Sequence, residues 1–100
     1  MGLPESPRLL SDLVAVSSPT RHEADAARML ADRLPRFGWS GSHLDGAGSV
    51  VAERGTGDKE LVLLSHIDTV PGGPEVMISD EVIRGRGSVD AKGPCCAMAV

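Results

Sequence analysis

Aromatic side chains are almost missing from this 100-residue chain: Phe37 and Trp39 are the two present, and there is no tyrosine. A basic surplus is missing as well, with ten Lys and Arg against fourteen Asp and Glu. Stacking rings and a positive groove are what hold nucleic acid, so a nucleic-acid partner is not expected. The acidic excess is also localised. Residues 1–36 carry five basic and five acidic groups, whereas residues 37–100 carry five and nine. No apolar run approaches the ~20 residues of a membrane span, and the opening MGLPESPRLL lacks the basic-then-apolar pattern of a signal peptide. The two cysteines, Cys95 and Cys96, are adjacent. A disulfide between them would be strained, and neither has zinc-ligand spacing. A reducing, cytoplasmic setting is therefore expected, with no membrane partner.

What is present suffices for one core, at 41% hydrophobic residues. Ser6 as cap, Pro7 in the first turn and the stripe Leu9, Leu10, Leu13 and Val14 predict a helix over 6–16. Ser17-Ser18-Pro19 breaks it. Thr20 and Glu23 stand at capping-box spacing, and Ala26, Ala27, Leu30 and Leu34 face one way, which predicts a second helix over 21–36. Beyond Gly38 the pattern becomes that of strands, at 39–44 and 49–54 around a turn at 45–48. The apolar centre of ELVLLSHI (60–67) suits a strand buried on both faces. Pro71-Gly72-Gly73-Pro74 ends it, and 76–78 with 82–83 form a small hairpin. A helix starts near Gly93-Pro94. This order predicts an α/β fold: two helices, a mixed sheet and a final helix. Because the chain stops inside the apolar run CCAMAV, the expectation is that residues 1–100 are the N-terminal piece of a longer protein, with its last helix truncated. The alternative is a short buried C-terminal segment.

Two stretches could carry chemistry, LLSHIDTVPGG (63–73) and RGRGSVDAKGP (84–94). On an extended strand, His66 and Asp68 at i and i+2 point to the same side. They fall where the strand ends, the edge at which α/β folds gather ligand groups. A metal-binding imidazole needs its other nitrogen fixed, and a neighbouring carboxylate can do so. The same pair also suits a structural histidine beside a solvated aspartate. Asp90 lies in a Gly-rich turn before a helix, where a carboxylate can bridge cations or simply cap the helix. A phosphate loop is disfavoured, since the Gly-x-x-x-x-Gly-Lys pattern is absent and Asp90 would repel a phosphate. His22 falls in the first turn of the second helix, where it is expected to be exposed, His43 has no carboxylate at a telling spacing, and Ser65 has no nucleophile elbow around it. Cys95 and Cys96 read as small apolar helix residues. Arg84 and Arg86 could pair with carboxylates or face solvent.

Together, His66-Ile67-Asp68-Thr69-Val70-Pro71 and Gly85-Arg86-Gly87-Ser88-Val89-Asp90-Ala91-Lys92-Gly93 resemble the two N-terminal motifs of the dizinc aminoacylase/carboxypeptidase family (M20-type metallopeptidases). The likeness covers most of the chain, and the order and the 24-position separation of His66 and Asp90 make it more specific than either motif alone. The wording is most similar to the hydrolases that release lysine or ornithine from an amino-group carrier protein, with Pro94 where many relatives have glycine. The resemblance implies that His66 is a ligand to one metal, that the catalytic aspartate Asp68 orients that imidazole, and that Asp90 bridges two metals. It implies two Zn2+, with Co2+ as a possible substitute, and a cis peptide immediately after the bridging aspartate, here Asp90–Ala91. A general-base glutamate pair, a further carboxylate, a second histidine and a lid domain used for homodimerisation come later in such proteins.

The function implied is zinc-dependent amide hydrolysis in lysine or arginine biosynthesis, acting on a carrier-protein conjugate or a small acylated amino acid. Its rivals are an M20-type dipeptidase or an N-acyl amino acid deacylase of the acetylornithine or succinyl-diaminopimelate type. A non-catalytic metal- or partner-binding module is the alternative from another class.

Overall fold

A computed structural model of the chain describes residues 5–79 and 81–100. Helix α1 (Glu5–Ala15) begins one residue before the predicted start, which places Ser6 inside the helix instead of at its cap. Its stripe is buried as expected: Leu9 and Leu13 are fully enclosed, Val14 nearly so, and Leu10 is half-buried against the core. Burying each leucine stabilises the fold by about 1.5–3 kcal/mol.

Helix α2 (Ala24–Arg33) starts three residues later than its pattern suggests. Arg21 adopts a left-handed φ of 74°, and the N-cap position falls on Glu23, which makes no side-chain capping bond. The capping box does not form because the Thr20 hydroxyl is used elsewhere. At the other end α2 tightens into a 3-10 turn (Leu34–Phe37), closed by Gly38 at φ 89°. Ala26, Leu30 and Leu34 meet Leu9 and Leu13 of α1, and Arg33 reaches back to Asp12 at 2.6 Å.

Strands β1 (Ser40–Leu44) and β2 (Val50–Glu53) form an antiparallel hairpin, with His43 opposite Val51 and Leu44 opposite Val50. Ser42 donates to the Ala31 carbonyl at 2.6 Å, which seats the hairpin on α2. Strands β3 (Met77–Ile78) and β4 (Ile83–Arg84) form the second predicted hairpin. Helix α3 (Lys92–Ala99) adds Cys96 and Ala99 to the core, and its Ala99 carbonyl accepts from Trp39 Nε1 at 2.7 Å.

The segment 60–67 departs from expectation. It is not a buried strand, and Leu61 and Leu64 are 84% and 87% exposed. A strand buried on both faces needs neighbours on both edges, and among the described residues only its far end finds one. There Thr69 N–H donates to Ser18 O (2.8 Å), Thr20 N–H donates to Thr69 O (3.1 Å), and Pro19 and Thr69 form a parallel bridge. The predicted mixed sheet is thus replaced by two separate two-stranded antiparallel sheets, while the α/β class holds. No helix among the described residues is long and apolar enough to cross a membrane.

Lys92, 1% exposed, is the largest fully enclosed side chain. Its ammonium donates to the Leu13 carbonyl at 2.9 Å and the Val16 carbonyl at 2.8 Å. These carbonyls lie at the C-terminal end of α1, where a cation is favoured; Leu13 also accepts from Val16 N–H at 3.2 Å. Burial pushes the Lys92 amine below its usual value. Gly87, at φ 89°, lets the loop close over this side chain: a Cβ there would stand 2.7 Å from Thr69 Cγ2 and 3.2 Å from Lys92 Cδ.

Replacing Lys92 with Met should therefore destabilise the protein by about 1–3 kcal/mol, because the Val16 carbonyl loses its donor and the Leu13 carbonyl keeps only the Val16 N–H. A lower urea midpoint with an unchanged slope would show it. In the β1–β2 turn, the N–H groups of Ser49 and Ala47 hold the Asp45 carboxyl below its ordinary 3.8. A depressed folded-state value stabilises at pH above the unfolded value, and the contribution is lost as pH falls through the folded one. Thermal melts of wild type and Asp45→Ala should differ at neutral pH and converge in acid.

Candidate functional site

Two connections that sequence separates meet at one point. His66 and Asp68 lie on the extended segment that the 18–20 connection grips at its end. Ser18, fully buried, donates its hydroxyl to the Ile67 carbonyl at 2.7 Å, between the two site residues. Asp90 lies on the glycine-bearing loop after β4, which Lys92 N–H fastens to the Gly87 carbonyl at 2.9 Å. The Asp90–Ala91 peptide is cis, as the resemblance implies.

His66 Nδ1 is 3.1 Å from Asp68 Oδ1, and His66 Nε2 is 3.3 Å from Asp90 Oδ1. The ring is about half exposed, and Asp90 is 88% exposed in its side chain. A neutral imidazole has one N–H and one lone pair. It can donate to Asp68 or to Asp90, but not to both. With Nδ1–H given to Asp68, the Nε2 lone pair and the Asp90 oxygen face each other, and a cation between them removes the repulsion. The dimension suits zinc. Two ligands at ~2.0–2.2 Å on a tetrahedral ion stand about 3.3–3.6 Å apart. Among the described residues no group of three or more His, Cys, Asp and Glu side chains is arranged around one ion. His66 and Asp90 form a pair, with Asp68 on the far side of the ring.

The Thr20 hydroxyl donates to Asp68 Oδ2 at 2.8 Å. That bond is the main cause holding the Asp68 carboxyl below its ordinary range; partial burial opposes it and the neighbouring His66 ring assists it. Thr20, His66, Asp68, Arg86 and Asp90 border a hollow of about 410 Å³, wide enough for a small substrate group. Arg86 donates to the Gly72 carbonyl at 3.3 Å from its rim.

The other candidates fall away. Asp90 does not cap α3, since Ala91 holds the N-cap position without a side-chain bond. Lys92 points into the core, which removes the cation a phosphate loop would need. His22 and His43 are exposed, and His43 Nδ1 contacts the Gly41 carbonyl. Cys96 is buried and Cys95 partly so; burial pushes both thiols up, Cys96 to about 12, which leaves them inert at neutral pH.

Thr20, Ser18 and Lys92 escaped sequence reasoning. Thr20 matched a helix cap, Ser18 a chain break, and Lys92 carried no hint that its charge would be buried. The buried Glu23 Oε2 has no partner among the described residues, and Glu23 lines a second hollow with His66 and Asp68.

No family model matches the chain. Curated proteins do. It is 38% identical over 92 residues to the LysW-lysine/LysW-ornithine hydrolase of Saccharolobus islandicus strain L.S.2.15, covering 92% of this chain and 25% of that protein. It is 40% identical over 95 residues to the "Putative LysW-lysine/LysW-ornithine hydrolase" of Pyrococcus abyssi, covering 94% and 28%. A Pyrobaculum aerophilum protein of the same description is 42% identical over 92 residues, covering 89% and 26%. The chain thus spans about a quarter of the length of the curated relatives it matches.

Proposed function

From the similarity of nine-tenths of this chain to about a quarter of the LysW-lysine/LysW-ornithine hydrolases, we propose that it forms part of a zinc-dependent amide hydrolase of M20 type. In this reading the whole protein releases lysine or ornithine from a LysW-type carrier conjugate in lysine or arginine biosynthesis. It works in the cytoplasm as a homodimer. The observation that carries the proposal is the 3.3 Å edge between His66 Nε2 and Asp90 Oδ1, with the other ring nitrogen committed to Asp68.

The residues divide the work as follows. Asp68 keeps the proton on His66 Nδ1 and so presents the Nε2 lone pair outward. His66 and Asp90 would hold one Zn2+, or Co2+ in its place. Asp90, open to solvent on its remaining side, would share its carboxylate with a second ion. Bound zinc supplies a Lewis acid and a water acidic enough to ionise near neutrality. The adjoining hollow, bordered by His66 and Asp90, would receive the scissile amide next to this edge.

Calorimetric titration of the chain with Zn2+ should give a site that His66→Ala and Asp90→Ala abolish. Asp68→Asn should weaken it about 10–100-fold, the usual effect of losing a carboxylate behind a histidine ligand. Equal zinc affinity in wild type and His66→Ala would refute the assignment. Residues 1–100 alone should show no amide hydrolysis with excess zinc, because catalytic zinc commonly takes three protein ligands and general-base loss alone lowers rates ~10²–10⁴-fold. Assays on an N-acyl lysine or a carrier conjugate would test this. Zinc-dependent turnover that His66→Ala eliminates would establish a complete active site within these residues.

A further inference from the structure

We propose that Thr20 is a positioning residue of this centre, its hydroxyl fixing the Asp68 carboxylate and, through it, the tautomer and orientation of the His66 ring. The inference rests on the metal-site reading above but concerns a contact present without metal. Asp68 has two oxygens to place. Oδ1 faces His66 Nδ1 at 3.1 Å and Oδ2 accepts from Thr20 at 2.8 Å. With its side chain 38% exposed, a carboxylate bound on one oxygen alone would exchange that partner with water. The second bond restricts rotation about the last side-chain torsion and keeps Oδ1 directed at the ring.

Thr20 is well placed to impose that restraint because its backbone is held independently of its side chain. Its N–H donates to the Thr69 carbonyl at 3.1 Å, and Thr69 N–H donates in turn to Ser18 at 2.8 Å. His22 N–H closes on the Pro19 carbonyl at 2.8 Å across the same turn. The donor therefore reaches Asp68 from a frame built on the strand end that carries Asp68 itself. The helix-cap role suggested by its spacing to Glu23 is not taken up, since α2 has no side-chain capping bond. The hydroxyl proton is thus committed to Asp68. Thr20 is also exposed, so replacing its hydroxyl opens no cavity in the core.

The test compares Thr20→Val, which keeps the shape and loses the hydroxyl, with Thr20→Ser, which keeps the hydroxyl. Two readouts are needed. In metal-free protein, long-range proton–nitrogen correlation spectra of the neutral His66 ring report how much of it carries its proton on Nδ1. In parallel, calorimetry reports Zn2+ affinity. Thr20→Val should lower the Nδ1–H population and weaken zinc binding about tenfold. Thr20→Ser should match wild type within about twofold, and both variants should melt close to wild type. A wild-type tautomer ratio and zinc affinity in Thr20→Val would overturn the proposal. So would a Thr20→Ser as impaired as Thr20→Val, which would assign the effect to the methyl group. If instead His66→Ala leaves zinc binding unchanged, the metal-site reading fails by itself. The tautomer comparison then still decides whether Thr20 sets the His66 ring.

Discussion

The Lys92 ammonium, shut away from water and bonded to the Leu13 and Val16 carbonyls, is the constraint on which the arrangement depends. Among the described residues it has no carboxylate partner. Its stability comes from acceptors at a helix end, where the Val16 carbonyl gains a donor and the Leu13 carbonyl a second one beside Val16 N–H. Because Lys92 opens α3 and follows the Asp90 loop by two residues, the same bonds fix the loop to α1. Gly87 permits the closure, since a side chain there would collide with Thr69 and with Lys92 itself.

The opposite half of the site hangs from the next few residues of the same connection. Ser18 and Thr20 hold Ile67, Asp68 and Thr69 by one side-chain and two backbone bonds, and Thr20 adds the bond to the Asp68 carboxylate. Residues 13–20 are therefore a common frame. Their first part fixes the loop bearing Asp90, and their second part fixes the segment bearing His66. Short bonds to one rigid piece of backbone allow groups 24 positions apart to meet at 3.3 Å with no sheet joining them. The helices matter to the chemistry through this frame more than through any side chain they send into the site.

The local pattern was sufficient wherever an element depends on its own residues. Leu9 with Leu13, and Ala26 with Leu30, announce helices because an apolar stripe at that spacing has one way to be buried. Asp45 to Ser49 announces a hairpin because the Asp45 carboxylate satisfies two N–H groups of its own turn. ELVLLSHI did not become a strand, since pairing depends on neighbours at both edges and its own hydrophobicity cannot supply them. Thr20 and Glu23 had the spacing of a capping box, yet Thr20 turned to Asp68, a partner 48 positions away.

The sequence by itself determined the helices, both hairpins, and the three residues His66, Asp68 and Asp90 as candidates, since motif order and residue chemistry are properties of the chain. Tertiary structure decided their relations. The contact of His66 with Asp90 and the second restraint on Asp68 arise from long loop closures. Such closures are set by where bulky groups pack and where buried polar atoms find partners. Lys92 makes the difference plain. As a letter in a glycine-rich stretch it reads as a solvent-facing cation. Its burial follows from two carbonyls at the end of a helix about eighty residues earlier, whose capacity to accept its ammonium no local pattern records.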